Sequence, residues 1–501
     1  MAAAALARSD PFKPPHLAGA PERQLKLEII GLAVLGGAGY ASRVFLAGDL
    51  QVFAWLFLGF IAVALLFKNL TYGLLALVVS VGLSPEFLGG LRIEDFLLPP
   101  LIFVWWLRHQ QRRDTLVTNN IFPAIRVYLF FVTFGTLLGL YNQTVYGPIV
   151  AAQYYFKGIE YFVLFWLVFN NVKERGDLIL VVVTSLVVCA LVGYLSLLDR
   201  TGRMAAKAGQ PIVRAFGAQG ETPNVLGGYY LFHIMVAFSM VFVLKRVFYR
   251  VLLFAFLAGV VVPFLYTFSR TSFVSLVIGM TIVLLFIDLR FFILLGVLAI
   301  FIPLAFPEVT VTSAVGDEAL VGRYQTIFDL FSPDSHKVTS WTARYAGWLA
   351  FIAETLQYSP LVGGGMGSIW LGVDSAYVKI FYESGSIGLI TFFMVLLRLF
   401  RLGVEVSKKT KDDFYRSFAI GYIGGFAGFI VHAVGVSTFA TIRPAEIFWI
   451  FSGLLVACRA LVQRDAELQE EEAQDLEAVS FARPQPAFRR GPQPALARRP
   501  V

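Results

Sequence analysis

Apolar runs of about 20 residues, each broken by a short polar stretch, recur along almost the whole chain, and that length lets an α-helix cross a bilayer core. Such runs begin near Leu27, Val52, Tyr72, Phe96, Ile125, Gly158, Leu178, Asn224, Val251, Ser272, Phe291, Ile380, Phe418 and Ile447. The pattern predicts an all-α polytopic membrane protein of about 14 transmembrane helices (12–14). The shorter runs, such as Phe96 to Leu107, cross by tilting or by letting flanking residues snorkel. Gly36-Gly37-Ala38-Gly39 in the first run suits close helix packing.

One polar interruption is much longer than the rest, and it sets the domain organisation. Residues 1–26 form a polar N-terminal tail, 27–307 carry helices 1–11, 308–379 form a large loop, 380–463 carry the last three spans, and 464–501 form a tail. A loop of this size is usually functional or a small subdomain. Within it, Trp341, Tyr345, Trp348, Ile352 and Leu356 fall near one helical face, which predicts an amphipathic helix over Trp341 to Tyr358 lying at the membrane interface. Pro360 ends that helix, and Gly363-Gly364-Gly365-Met366-Gly367 predicts a flexible turn. The glycine run lacks the Lys-Ser/Thr of a phosphate-binding P-loop. In the tail, Asp465 to Glu477 is acidic and helix-prone, while Phe481 to Val501 is rich in Pro, Arg and Ala; the tail as a whole is expected to be disordered and cytoplasmic. No internal repeat is apparent, which weakens a transporter built from inverted halves.

Composition agrees with the pattern. Hydrophobic residues make up 57% of the chain and charged ones 15%, too few polar groups to cover a soluble surface. The net charge of +8 arises from Lys and Arg that gather between alternate spans: Arg108, Arg112, Arg113 and Arg126, then Lys245, Arg246 and Arg250, then Arg398 through Arg416. That asymmetry predicts a cytoplasmic N-terminus and C-terminus, and it argues against nucleic acid as a partner. It places Asp199 to Pro223, the turn around Arg270, Glu308 to Lys379 and the turn before Arg443 together on the outer face. Cys189 and Cys458 lie in or beside apolar runs and give neither a disulfide framework nor a metal site. The N-terminal residues show no removable signal peptide.

Arg270 stands where two apolar stretches meet, in Thr267-Phe268-Ser269-Arg270-Thr271-Ser272. A guanidinium at a membrane boundary is costly unless an anion or aqueous recess receives it, and its fork suits phosphate. Arg214, Arg344 and Arg443 share the outer face, although arginines at helix ends can also simply snorkel to headgroups. Pro223-Asn224 opens a span and leaves free backbone N–H groups, either for an anion or for an ordinary cap. Lys157 and Glu160 are three apart on one helix: they either neutralise one another or lend Lys157 to a phosphate cradle.

A general base could be a carboxylate or an imidazole. Asp374, Glu354 and Glu383 are the carboxylate candidates, with turn or cap roles as the alternative. Among the histidines, His432 lies near the outer end of its span and His336 in the outer loop; His16 and His109 are expected on the cytoplasmic side and His233 deeper in a span. A lone intramembrane histidine is more often a hydrogen-bonded packing residue, and none shows metal-ligand spacing. Tyr324, Trp341, Trp348, Trp370 and Tyr377 would suit stacking on sugar faces or anchoring at the interface.

Taken in order, these motifs resemble the O-antigen ligase and polysaccharide polymerase superfamily. The resemblance rests on Arg214-x-x-Gly217 followed by Pro223-Asn224, on Ser269-Arg270, and on the large loop. That loop runs Arg344, Trp348, Pro360-Leu361-Val362-Gly363 and Gly365 into Asp374-Ser375-Ala376-Tyr377, then Glu383-Ser384-Gly385-Ser386-Ile387-Gly388. It covers roughly Arg214 to Gly453 through short, degenerate motifs whose order and sidedness are more specific than any one of them.

The resemblance implies a GT-C-like architecture in a bacterial inner membrane and a metal-independent, inverting glycosyl transfer at the periplasmic face, with no cofactor. The donor would be an undecaprenyl-diphosphate-linked oligosaccharide and the acceptor a glycan hydroxyl, among membrane lipids and with a chain-length regulator as a further partner. Arg214 and Arg270 match the family's two diphosphate-holding arginines. Where ligases carry His-Asn, this chain has Asp374-Ser375, which favours a polymerase with Asp374 as base over a ligase that moves finished glycan to lipid A-core. A lipid-linked oligosaccharide flippase is the expectation from another class.

Overall fold

The structure, a computed structural model, describes residues 70–84, 92–112, 119–206, 222–290, 293, 339–369 and 373–482. The expected N-terminal tail, the runs near Leu27, Val52 and Phe291, the Arg214 motif, residues 308–338 with Tyr324 and His336, Trp370 and the tail beyond residue 482 lie outside the described residues.

Twelve helices make up the described regular structure. They are α1 (Leu70–Leu83), α2 (Ile93–Arg112), α3 (Phe122–Tyr141), α4 (Pro148–Asn171), α5 (Arg175–Ala206) and α6 (Pro223–Val243). Then come α7 (Val247–Leu265), α8 (Arg270–Ile287), α9 (Thr339–Tyr358), α10 (Ala376–Lys409), α11 (Asp413–Gly435) and α12 (Ile442–Ala482). Eight of them, α3, α5 to α8 and α10 to α12, are long and apolar enough to cross a membrane, so the chain is a multi-pass membrane protein by length and composition. Proline opens α4 and α6, where its missing N–H costs no helical bond and its fixed φ favours the first turn. Asp412 caps α11, accepting from the Phe414 and Tyr415 N–H groups at 2.8 and 3.0 Å.

The centre is built from α6 and α11, the most enclosed of the long helices before α12, while α7 and α8 turn much of their surface outward. Lipid-facing side chains such as Phe248, Val251, Leu252 and Phe254 stand exposed on α7. Backbones come together at glycine. A Cβ on Gly421 would lie 2.6 Å from Val236 Cα, one on Gly425 3.0 Å from the Phe232 ring, and one on Gly424 3.0 Å from the Gly279 carbonyl oxygen. Gly421, Gly424, Gly425 and Gly428 thus form the seam along which α11 meets α6 and α8. Apolar lipid gives helices no hydrophobic reason to associate, so this close van der Waals fit supplies the attraction. Polar groups within the bundle satisfy one another, as in Ser185 Oγ with His233 Nε2 at 2.8 Å and Tyr422 with Ser452 at 2.8 Å.

Short connections make neighbours antiparallel, so the starts of α6, α8, α10 and α12 gather at one end with the finishes of α7 and α11. Basic residues crowd the opposite end: Lys245 pairs with Asp413 and Arg175 with Asp412, both at 3.1 Å, and Arg459 reaches Glu405 at 3.3 Å. His109 stacks on Trp105 there, with 5.1 Å between ring centroids.

Two expectations change. The boundary of a disordered tail at residue 464 moves, because α12 continues as helix to Ala482, as the helix-prone acidic stretch allows. The span expected from Ile380 starts earlier, at Ala376, and its helix is broken at Gly385, whose φ of 65° is open to glycine at little cost.

Gly421→Ala should lower the unfolding midpoint in detergent, with a cost of about 1–3 kcal/mol from overpacking against backbone. Gly259→Ala, whose Cβ would meet nothing within 4 Å, should leave it unchanged or raised.

Candidate functional site

The turn that delivers Arg270 is held from several sides. Thr267 Oγ1 donates to the Phe264 carbonyl at 2.7 Å and accepts from the Ser269 N–H at 3.3 Å. Between them Phe268 takes a φ of 51° while fully buried. A bulky side chain in the left-handed region is strained and persists only where its surroundings fix it. Ser269 then caps α8, accepting from the Ser272 N–H at 3.3 Å, and Arg270 occupies the first helical position, half-buried. Arg200, at the end of α5, lies over the Tyr266 ring with its guanidinium carbon 3.7 Å from the centroid.

His432 joins three helix ends at this point. Its Nε2 lies 2.9 Å from Ser272 Oγ on α8, its Nδ1 lies 2.7 Å from Thr438 Oγ1 beyond α11, and the Asn224 backbone at the start of α6 is within hydrogen-bonding reach. The ring is fully buried against α6, where a Cβ on Gly228 would meet it at 2.9 Å. A Cβ on Gly227 would strike Ser272 Oγ at 2.3 Å. The first turns of α6 and α8 are therefore in direct contact, with Asn224 on one and Arg270 on the other. Each helix N-terminus carries about half a positive charge, so two of them beside a guanidinium make a place suited to an anion.

Asp374 and Arg344 meet one another. Arg344 Nε lies 2.7 Å from Asp374 Oδ2, with Asp374 about half exposed. The flanking residues tie this carboxylate to the end of α11: Ser437 Oγ donates to the Val373 carbonyl, Ser375 Oγ to Ala433 at 3.5 Å, and the Tyr377 hydroxyl to Ile430 at 2.7 Å. Asp374 thus stands beside the segment that carries His432. Arg344, expected to hold diphosphate, has an internal carboxylate as its partner. Glu354, on the same helix as Arg344, accepts from the Tyr382 hydroxyl at 2.9 Å.

Glu383 lies apart from these groups. Its Oε1 receives Lys379 Nζ at 2.6 Å and the Gly367 N–H at 3.3 Å, and the side chain is buried. The glycine run is a fixed structure rather than a flexible turn. The Gly364 and Gly365 N–H groups donate to the Tyr382 and Glu383 carbonyls at 2.8 and 2.9 Å, and the Ser386 N–H donates to Pro360 at 2.9 Å. These bonds satisfy the backbone groups that the break at Gly385 frees. Gly363, Gly365 and Gly367 all have positive φ, and a Cβ on Gly363 would lie 2.5 Å from the Glu383 backbone.

Lys157 and Arg443 belong to a third group. Lys157 Nζ is 3.0 Å from Asp95, 2.8 Å from Glu160 and 3.2 Å from Glu446, so Glu160 is one of three carboxylates around it. Arg443 is fully buried and donates to the Ser84 carbonyl at 3.4 Å. This group connects to His432 through residues 436–441, where the Tyr161 hydroxyl donates to the Ala440 carbonyl at 3.3 Å.

The bundle therefore brings Arg270, Asn224 and His432 together, sets the Arg344–Asp374 pair beside them, and places Lys157 with Arg443, and Glu383, elsewhere. Sequence reasoning missed Ser272, Thr438, Arg200, Lys379 and Glu446. Lys379 and Glu383 are four apart, the spacing of a helical ion pair, and that signal was there to be used. A scan against protein-family models finds no match for the chain, and comparison with curated proteins finds none.

Lys379→Met should leave Glu383 buried without its cation and cost about 3–5 kcal/mol in unfolding free energy. Lys379→Met with Glu383→Met should recover most of that loss, and denaturant titration of both variants in micelles measures the difference.

Proposed function

We propose that this chain is a GT-C-like glycosyltransferase of the bacterial inner membrane that polymerises undecaprenyl-diphosphate-linked oligosaccharide repeats into a surface polysaccharide. The observation that carries this reading is the contact between the beginnings of α6 and α8 at Gly227 and Ser272, which brings the positive ends of two helices, one carrying Asn224 and the other Arg270, to the same region. The crowding of Lys and Arg at the opposite end supports orienting that end to the cytoplasm and the α6–α8 junction to the periplasm.

In this mechanism the acceptor hydroxyl oxygen attacks the anomeric carbon from the face opposite the leaving group. The bond from that carbon to the phosphate oxygen breaks, and its electron pair departs with undecaprenyl diphosphate, so the new linkage is inverted. Arg270, the paired helix N-termini and Arg214 from the matching motif receive the charge that develops on the diphosphate; groups preorganised around such charge lower the barrier most in a low-dielectric site. Asp374 takes the hydroxyl proton, and Arg344 positions it through Oδ2. His432 acts on structure, locking the start of α8 to the end of α11, with both ring nitrogens engaged.

Arg270→Lys and Arg214→Ala should each reduce polymer formation by about a hundredfold or more while leaving the protein in the membrane. Asp374→Asn should abolish turnover but keep donor binding. The decisive assay is gene deletion with glycans resolved by size. Single repeats without longer products support the polymerase, finished polymer stranded on its carrier points to a ligase, and repeats trapped on the cytoplasmic side point to a flippase.

A further inference from the structure

Four buried side chains join end to end where α6, α8 and α11 meet: Thr438, His432, Ser272 and Ser269. Thr438 Oγ1 lies 2.7 Å from His432 Nδ1, His432 Nε2 lies 2.9 Å from Ser272 Oγ, and the Ser272 hydroxyl donates to Ser269 Oγ at 2.7 Å. The chain of contacts ends on the residue that caps α8 and immediately precedes Arg270. Ser269 also accepts from the Ser272 N–H, but at 3.3 Å, so the shorter of its two bonds is the one this chain delivers. The Asn224 backbone, within hydrogen-bonding reach of the ring, holds α6 to the same group.

The direction of each bond follows from counting hydrogens, because a hydroxyl has one to give. Ser272 gives its hydrogen to Ser269, so towards His432 it can only accept, and Nε2 must carry the ring hydrogen. Nδ1 is then an acceptor, and the Thr438 hydroxyl is the donor it meets. The other neutral tautomer, with its hydrogen on Nδ1, would set two acceptors, Nε2 and Ser272 Oγ, against each other. A ring protonated on both nitrogens would turn the Thr438 hydroxyl to the Val436 carbonyl at 3.3 Å, which already accepts the Thr438 N–H at 2.7 Å. The neutral ring with its hydrogen on Nε2 is the form in which each of these groups uses its shortest bond. Bonds aligned in this way polarise one another, and buried networks gain from being fully satisfied.

We infer that Thr438, His432 and Ser272 are positioning residues of the α6–α8 junction. They form a one-way relay, from Thr438 to Ser269 through an imidazole with its hydrogen on Nε2, that sets the cap of α8 and with it the backbone carrying Arg270. None of the three touches the anion; they act through Ser269. The inference rests on the reading of that junction as the diphosphate site.

The test uses nitrogen NMR of the full chain in nanodiscs, labelled at histidine, the His432 signals being those lost in His432→Gln. The wild type should show one hydrogen-bearing and one bare ring nitrogen, and couplings to the ring C–H hydrogens should identify the bearing one as Nε2. Thr438→Val, which keeps the volume and removes the hydroxyl, should move the Nδ1 signal and weaken binding of a short-chain prenyl diphosphate by about tenfold, the scale of one lost hydrogen bond at a buried acceptor. Thr438→Ser should restore both. A ring hydrogen on Nδ1, or on both nitrogens, would overturn the relay. So would Thr438→Val binding like the wild type while Arg270→Gln does not, or Thr438→Ser binding as weakly as Thr438→Val. No binding by the wild type, or equal binding by the wild type and Arg270→Gln, would overturn the diphosphate reading and this inference with it. If Thr438→Val does not fold, Ser272→Ala breaks the relay one bond further on and takes its place, with the same expected loss and the same contrary result.

Discussion

A polar group inside this bundle is costly to bury unless it finds a partner within the protein, because the surrounding apolar medium offers none. That constraint explains why two described irregular stretches, residues 360–367 and 267–269, are tied down by hydrogen bonds. The break at Gly385 frees backbone groups that residues 360–365 take up, Gly364 and Gly365 as donors and Pro360 and Leu361 as acceptors, and the strained turn at Phe268 is held by Thr267 and Ser269. His432 follows the same rule, with each ring nitrogen directed to a hydroxyl. The helix ends are therefore fixed where flexible loops would otherwise leave them loose.

Glycine makes the same constraint serve geometry. The seam of Gly421, Gly424, Gly425 and Gly428 brings α11 onto α6 and α8, and Gly227 and Gly228 let the first turns of α6 and α8 close around Ser272 and His432. The positive ends of two helices are thereby brought close together, an arrangement that costs energy in isolation. Arg270 enters at the first position of α8.

Much of this was legible in the sequence, for identifiable reasons. Apolar runs mark spans because a bilayer imposes a length, and the starts near Ile125, Leu178, Asn224, Ser272 and Phe418 fall in observed helices. Arg270 was legible because a charge between two such runs is costly. The helix ahead of Pro360 was legible from the spacing of Trp348 and its neighbours. The break at Gly385 was hidden, since Gly385 and Gly388 in an apolar run look like packing residues. The pairing of Arg344 with Asp374 and the cluster linking Asp95, Lys157 and Glu446 join residues far apart in the chain, and no local pattern encodes which helices become neighbours. His432 showed its position in sequence but not its partners.

The central claim is that the α6–α8 junction and Arg270 hold a prenyl diphosphate headgroup. The most direct measurement is phosphorus NMR of a short-chain prenyl diphosphate added to the purified full-length protein in nanodiscs, comparing wild type with Arg270→Gln. The account predicts a shifted, saturable bound signal in the wild type that the variant loses while remaining folded. Equal binding by both proteins, or no bound signal in either, would contradict it.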